Sequence, residues 1–189
     1  ISNLIKDFDN IIIVGGMGNA MLKNTGINIG KSVCDEGYKN LVGEIIEKSE
    51  THNCKIYYPI DVVVSKTLDG NGTIKEITEV NNNEMILDIG PKTIESIKNI
   101  INDTNTVLWN GPAGYFENPN FANGTKKILE IIANKRLKDK IYAVAGGGET
   151  VAVINKFNKL NTFNFVSTAG GAFLEYLEGK ELPGIKALN

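Results

Sequence analysis

The sequence has few of the residues from which metal centres, disulfides and nucleophilic centres are built. Among 189 residues there is one histidine, His52, and there are two cysteines, Cys34 and Cys54, without C-x-x-C spacing. These three residues do not make a zinc ligand set, so we predict that both cysteines are plain thiols. The same scarcity leaves no plausible histidine- or cysteine-based nucleophilic dyad.

Long apolar runs and an excess of one charge are also missing. No apolar stretch approaches the roughly 18 to 20 residues of a membrane span, and the start of the chain lacks the basic-then-apolar order of a signal peptide. The formal net charge is -2, with 42% hydrophobic and 22% charged residues. We therefore expect one cytoplasmic domain over residues 1–189, with no nucleic acid and no membrane as partner.

What the sequence does contain is an alternation of buried-strand and helix patterns. Apolar, β-branched runs, most of them ending in glycine, are typical of parallel strands that are buried on both faces. Segments with apolar residues three and four apart are typical of amphipathic helices. The alternation predicts an α/β fold, three-layered, Rossmann-like and doubly wound around a mainly parallel sheet. The strand segments are 10–16, 60–65, 104–111, 140–148 and 162–171; the helix segments are 91–103, 122–137, 148–157 and 171–180.

One segment departs from this alternation. Residues 65–90 contain the turn residues Asp69-Gly70-Asn71-Gly72 between alternating apolar and polar residues. This pattern predicts a small β-hairpin excursion from the main sheet.

Glycine clusters follow most of the predicted strands. Ligands of open parallel sheets bind beyond the carboxyl ends of the strands, where these clusters lie. A turn usually needs only one glycine, so four clusters at one edge predict that something approaches the backbone closely. A glycine-rich helix start presents bare N–H groups and favours anions, phosphate above all. The clusters are Gly15-Gly16, Gly111, Gly146-Gly147-Gly148 and Gly170-Gly171.

A carboxylate, Glu149, follows three of these glycines directly. It would repel phosphate unless a cation lay between them, and Mg²⁺ is commonly held by one or two carboxylates together with substrate phosphates. The alternative is that Glu149 only complements the helix dipole in the first turn.

The segment "LWNGPAGYFE", residues 108–117, allows two interpretations. It is either a rigid loop with an aromatic anchor or a nucleoside pocket, in which Asn110 is directed at phosphates and Glu117 accepts from ribose hydroxyls. Two familiar phosphate-binding motifs are incomplete elsewhere in the chain. The segment "TGINIGKS" has Thr25 where a P-loop requires glycine. The candidate dinucleotide fingerprints have Met21 or Val151 in place of the third small residue.

Taken in order, five motifs resemble the carboxyl-terminal, nucleotide-binding domain of the phosphoglycerate kinases. The motifs read "IIVGGMGNAMLK", "MILDIGPKT", "VLWNGPAGYFE", "AGGGETVAV" and "VSTAGGAFLEYLEGKELPG", and the resemblance extends over nearly the whole chain. The resemblance implies reversible phosphoryl transfer between 1,3-bisphosphoglycerate and ADP, giving 3-phosphoglycerate and ATP with Mg²⁺. It also implies a monomer.

For the nucleoside half of ADP or ATP, the resemblance implies five contacts. Gly15 and Gly16, with Leu87 and Pro112, border the adenine, and Glu117 holds the ribose.

For the phosphate half, the resemblance implies that Asn110 lies near the triphosphate. Gly146-Gly147-Gly148 and Thr150 meet the phosphates at their helix start, and Glu149 stands near the metal in place of the family's usual aspartate. Gly170-Gly171 receive the phosphoryl group in flight, so that Gly147, Gly148, Gly170 and Gly171 are the predicted catalytic positions.

The chain departs from the family pattern in three respects. The resemblance implies a preceding strand with a phosphate-binding lysine and an amino-terminal substrate domain, both absent here, so the chain is expected to begin inside a helix and to be inactive alone. Glu149 is one methylene longer than aspartate. Ile86 stands where many relatives have glycine and is expected to narrow the base pocket.

The sequence leaves two alternatives to the kinase function. A nicotinamide-dependent oxidoreductase domain would bind NADH better than ADP. A non-catalytic nucleotide-binding or interaction module would gain no kinase activity from an added amino-terminal domain.

Overall fold

The structure is a computed structural model that describes residues 3–34, 37–139 and 141–188. Its contacts group the chain into two compact units. The first unit comprises the chain up to Asp103 together with Pro112–Ile128, and the second comprises Thr104–Gly111 together with the chain from Leu129 onward. Each unit has its own sheet structure.

In its described residues, the first unit contains five strands and three complete α-helices, and it includes the start of a fourth. The strands are β1 Asn10–Ile12, β2 Lys55–Tyr57, β3 Asp61–Ser65, β4 Thr73–Glu76 and β5 Met85–Ile89; the helices are α1 Gly15–Asn24, α2 Tyr38–Thr51, α3 Pro91–Asn102 and α4 Asn123–Asp139, and short 3-10 helices cover Ile5–Asp7, Ile77–Glu79 and Pro119–Phe121. The expected helix at the start of the chain is a single 3-10 turn in its described part, and Ile1 and Ser2 lie outside the described residues.

Strands β1 and β2 pair in parallel, as the sequence pattern predicts for the first strand. All three residues of β1 are half-buried, so the expectation of a strand buried on both faces is wrong for these residues. In the described residues β1 has a strand partner on one side only. The adjoining core contains Ile13, Met21 and Ile45, with Cys54 buried beside them.

Strand β3 is the centre of a three-stranded sheet in the order β4-β3-β5. It pairs antiparallel with both neighbours, so the prediction of a parallel strand at 60–65 is wrong. The predicted hairpin is the reason: the chain reverses between β3 and β4 at the 69–72 turn. Ile86 of β5 packs against the buried cluster of Val62, Val64 and Val80, so its side chain lies among apolar residues.

The second unit is built on a parallel sheet with the order β6-β7-β8. Its strands are β6 Thr106–Asn110, β7 Tyr142–Gly146 and β8 Phe165–Val166, and its helices, besides the rest of α4, are α5 Gly148–Lys156, α6 Gly171–Leu177 and the single turn α7 Pro183–Lys186, with a 3-10 turn at Leu160–Thr162. Lys140, the first residue of a predicted strand, lies outside the described residues.

The α/β, Rossmann-like class is confirmed, and so are the four predicted helices. In α3, Pro91 occupies the first turn, where its missing N–H costs nothing, and the isoleucine spacing buries Ile97 and Ile101. Within the described ranges, every helix is too short or too polar to cross a bilayer.

Candidate functional site

Three predicted glycine pairs lie at helix starts and share one backbone feature. The pairs are Gly15-Gly16 at α1, Gly147-Gly148 at α5 and Gly170-Gly171 at α6. The first glycine of each pair has a positive φ, of 61°, 91° and 58° respectively. Since side chains disfavour such angles, the turn into each helix accounts for the first glycine.

The second glycine of each pair has no such explanation. A Cβ built on Gly16, Gly148 or Gly171 would meet no atom within 4 Å, and none of the three has a positive φ. Neither strain nor packing requires glycine there. A side chain at these positions would obstruct access from outside to the first N–H groups of the helix, which are the groups that bind anions.

Two other glycines of the predicted clusters have structural reasons. A Cβ on Gly146 would overlap the ring of Phe173, which packs directly on this backbone. Gly111 has a φ of 101°. The packing of Phe173 therefore explains the glycine at 146, and the turn explains the glycine at 111.

Asn110, Gly147 and Thr150 converge where β6 and β7 end. Asn110 pairs with Gly146 in the sheet register, and a Cβ on Gly147 would lie 2.7 Å from Asn110 Oδ1. The N–H of Gly111 donates to Thr150 Oγ1 at 2.6 Å, and Thr150 is fully buried. Thr150 therefore fixes the end of β6 to the first turn of α5.

Glu149 lies in the first turn of α5 and is exposed. In the described residues no group of three or more histidine, cysteine, aspartate or glutamate side chains could hold a metal ion. A single exposed carboxylate beside bare N–H groups fits Mg²⁺, because that ion keeps waters and takes its further ligands from substrate phosphates.

The tryptophan of the 108–117 segment belongs to the core of the second unit. Trp109 is 7% exposed and stacks on Phe163, with ring centroids 5.9 Å apart. This geometry matches the aromatic anchor of the first interpretation, while Asn110, the next residue, is exposed.

In the first unit, Gly15 lies beside Pro112, and the loop that follows Pro112 is bound to Leu87. A Cβ on Gly15 would lie 3.4 Å from the carbonyl oxygen of Pro112. The carbonyl oxygen of Leu87 accepts the N–H of Tyr115 at 2.7 Å, which fixes the loop that follows Pro112 to β5. Glu117 is exposed at the end of that loop.

The predicted site residues thus divide between the units. The first contains Gly15, Gly16, Leu87, Pro112 and Glu117; the second contains Asn110, Gly146, Gly147, Gly148, Glu149, Thr150, Gly170 and Gly171.

One acidic residue next to these positions was not predicted from the sequence. Asp88 of β5 is 2% exposed, and its carboxylate accepts the N–H groups of Ile89 and Gly124 at 2.9 Å and 2.7 Å. Burial raises the pKa of Asp88 to about 6, although backbone hydrogen bonds oppose the shift. An acid in an otherwise apolar buried strand, "MILDI", was the available sign.

Comparison with known proteins identifies the family. The sequence profile described as phosphoglycerate kinase matches residues 1–180. The chain belongs to the phosphoglycerate kinase family. It is 43% identical over 190 residues to the phosphoglycerate kinase of Zymomonas mobilis, an alignment that covers 100% of this chain and 48% of that protein.

Solved structures agree with this assignment. The phosphoglycerate kinase of Coxiella burnetii has a TM-score of 0.90 at 40% identity, over 99% of this chain and 48% of the other. The phosphoglycerate kinase of Pyrococcus horikoshii has a TM-score of 0.80 at 27% identity, over 98% and 47%. The chain spans about half the length of the phosphoglycerate kinases it matches. Membership of this family does not favour the oxidoreductase alternative.

Proposed function

We propose that this chain is the nucleotide-binding part of a phosphoglycerate kinase and carries the site for Mg²⁺ with ADP or ATP. The reaction is reversible phosphoryl transfer from 1,3-bisphosphoglycerate to ADP, giving 3-phosphoglycerate and ATP in glycolysis. The relatives are about twice as long, so the proposal includes a second domain, outside this sequence, that binds the phosphoglycerate.

The observation that carries the proposal is the second glycine of each pair. Gly16, Gly148 and Gly171 all stand at helix starts with open space where a side chain would project. A phosphate oxygen needs such access to reach backbone N–H groups, and several helix starts are needed because one dipole contributes only about 0.3 to 1 kcal/mol.

The remaining residues supply positioning and charge, which is most of what phosphoryl transfer asks of a protein. Glu149 would hold Mg²⁺ together with nucleotide phosphate oxygens, and the ion would there neutralise the charge of the phosphates. Asn110 and the N–H groups of Gly147 and Gly148 would bind the phosphates, and Gly170-Gly171 would receive the group in transfer. Leu87, Gly15, Gly16 and Pro112 would border the base, with Glu117 on the ribose.

Calorimetric titration tests the proposal. The chain is titrated with ADP, with and without Mg²⁺, and with NADH as the control ligand. We expect saturable ADP binding and none with NADH. Preferential binding of NADH would overturn the proposal in favour of the oxidoreductase alternative.

A matched pair of variants tests the glycine observation in the same assay. Gly148→Ala places a methyl group in the open space at α5, whereas Gly43→Ala places one in equally open space within α2. We expect weakened ADP binding only for Gly148→Ala. Equal affinities of both variants for ADP would remove the helix start of α5 from the site.

A further inference from the structure

Two aspartates of the first unit are almost completely buried on neighbouring strands. Asp61 of β3 is 1% exposed and Asp88 of β5 is 2% exposed. Buried carboxylates are costly unless hydrogen bonds satisfy them, so each should have a definite structural task.

Asp88 binds the start of helix α4. Its carboxylate accepts the N–H of Gly124 at 2.7 Å. Gly124 belongs to the first turn of α4, where N–H groups have no partner within the helix. A Cβ on Gly124 would overlap the carboxylate, so glycine is what allows the helix to approach Asp88 so closely.

The same carboxylate borders the loop 112–117. A Cβ on Gly114 would lie 2.5 Å from both Asp88 Oδ1 and the carbonyl oxygen of Leu87. The loop is attached on both sides of this point: the N–H of Ala113 donates to Thr125 Oγ1 of α4 at 2.9 Å, and the N–H of Tyr115 donates to the carbonyl oxygen of Leu87 at 2.7 Å. Strand β5, the loop and the start of α4 therefore meet around one buried side chain.

We propose that Asp88 is a positioning residue for the nucleoside half of the site. By fixing the start of α4 and the loop 112–117 against β5, it places Pro112 and Glu117 beside Leu87, where base and ribose would bind. The nucleoside part of this inference rests on the proposed function, whereas the attachment of the loop does not.

Asp61 offers a matched control on the neighbouring strand. Its carboxylate accepts the N–H groups of Lys92 and Thr93 at 2.9 Å and 2.7 Å, together with the Thr93 hydroxyl at 2.7 Å. It thus binds the start of α3 as Asp88 binds the start of α4, and a Cβ on Gly90 would overlap it. Within the part of the chain that the structure describes, none of the predicted nucleotide contacts is hydrogen-bonded to the Asp61 carboxylate.

The test compares Asp88→Asn with Asp61→Asn in two measurements. The first is hydrogen exchange at the Tyr115 amide, which reports the attachment of the loop to Leu87. The second is ADP affinity by calorimetry. In Asp88→Asn an uncharged amide replaces the carboxylate that accepts the backbone N–H groups, so at least one charge-assisted hydrogen bond is lost. Such a loss corresponds to a change of at least about tenfold in an equilibrium constant, and hence in the exchange rate or the affinity.

We expect exchange at Tyr115 to be at least about tenfold faster, and ADP affinity about tenfold lower, in Asp88→Asn than in Asp61→Asn. Equal changes in the two variants would overturn the inference, because both would then reflect general destabilisation. Faster exchange with unchanged ADP affinity would overturn the nucleoside role.

Two further cases distinguish a failure of this inference from a failure of the proposed function or of folding. If the unaltered chain binds no ADP, the proposed function fails, and the Tyr115 exchange rate still decides whether Asp88 holds the loop. If Asp88→Asn does not fold, Gly124→Ala replaces it, since the added methyl group displaces the carboxylate without removing it. Unchanged exchange at Tyr115 in that variant would overturn the inference.

Discussion

Alanine at Gly147 and alanine at Gly148 should have opposite effects on stability. Gly147 has φ 91° and ψ 141°, a conformation that side chains rarely adopt, and its Cβ would lie 2.7 Å from Asn110 Oδ1. We therefore expect Gly147→Ala to lower the free energy of unfolding by about 1 to 3 kcal/mol. Gly148 begins α5 with no neighbour near its Cβ position, so Gly148→Ala should raise it by about 0.4 to 1 kcal/mol by restricting the unfolded chain.

The two effects should separate the unfolding free energies of the two variants by about 1.4 to 4 kcal/mol. Urea unfolding followed by tryptophan fluorescence measures the difference, because the single tryptophan, Trp109, is buried in the same unit as both glycines. The variants should keep the same urea dependence and differ in midpoint. A destabilising Gly148→Ala would show that structure, and not access by a ligand, requires glycine there.

Three other predictions concern acidic and hydroxyl side chains. Because burial raises the pKa of Asp88 to about 6, the folded state binds the Asp88 proton more readily than the unfolded state does. Relative to Asp88→Asn, the unfolding free energy of the unaltered chain should therefore rise by about 1 kcal/mol from pH 7 to pH 5, and this gain should be lost again as the pH rises through 6. A difference between the two chains that does not depend on pH would contradict this. Glu149→Gln should weaken binding of Mg-ADP more than that of metal-free ADP in calorimetry, and equal weakening would remove Glu149 from the metal site. Thr150→Val should cost about 1 to 3 kcal/mol in urea unfolding by leaving the Gly111 N–H without its acceptor, whereas Thr150→Ser keeps the hydroxyl and should lose much less. Equal losses in the two variants would show that the hydrogen bond does not account for the cost.

Local sequence predicted the elements of the fold better than their pairing. The isoleucine spacing and Pro91 were sufficient for α3, because one buried face and one helix start are local properties. The direction of β3 relative to its neighbouring strands is not a local property. Its apolar run suits a buried strand of either kind, and only its pairing with β4 and β5 makes it antiparallel.

The candidate site shows the same division. Glycines after strands predicted helix starts with accessible N–H groups, and the structure has that geometry at Gly148 and Gly171. The reason for Gly146 could not be predicted, because Phe173, which packs on it, lies 27 residues further along the chain. Asp88 was missed because its partners at the start of α4 are 36 residues away.

The starts of α3 and α4 have a consequence for the order of folding. Their first N–H groups are bound by Asp61 and Asp88, which are 32 and 36 residues distant along the chain, and Gly90, at the start of α3, offers no side chain for the purpose. A helix whose first turn depends on a distant strand gains that stabilisation only after the strand has reached its place. Substitutions at Thr93 and Gly124 should therefore accelerate unfolding and leave the folding rate nearly unchanged, with φ-values close to zero.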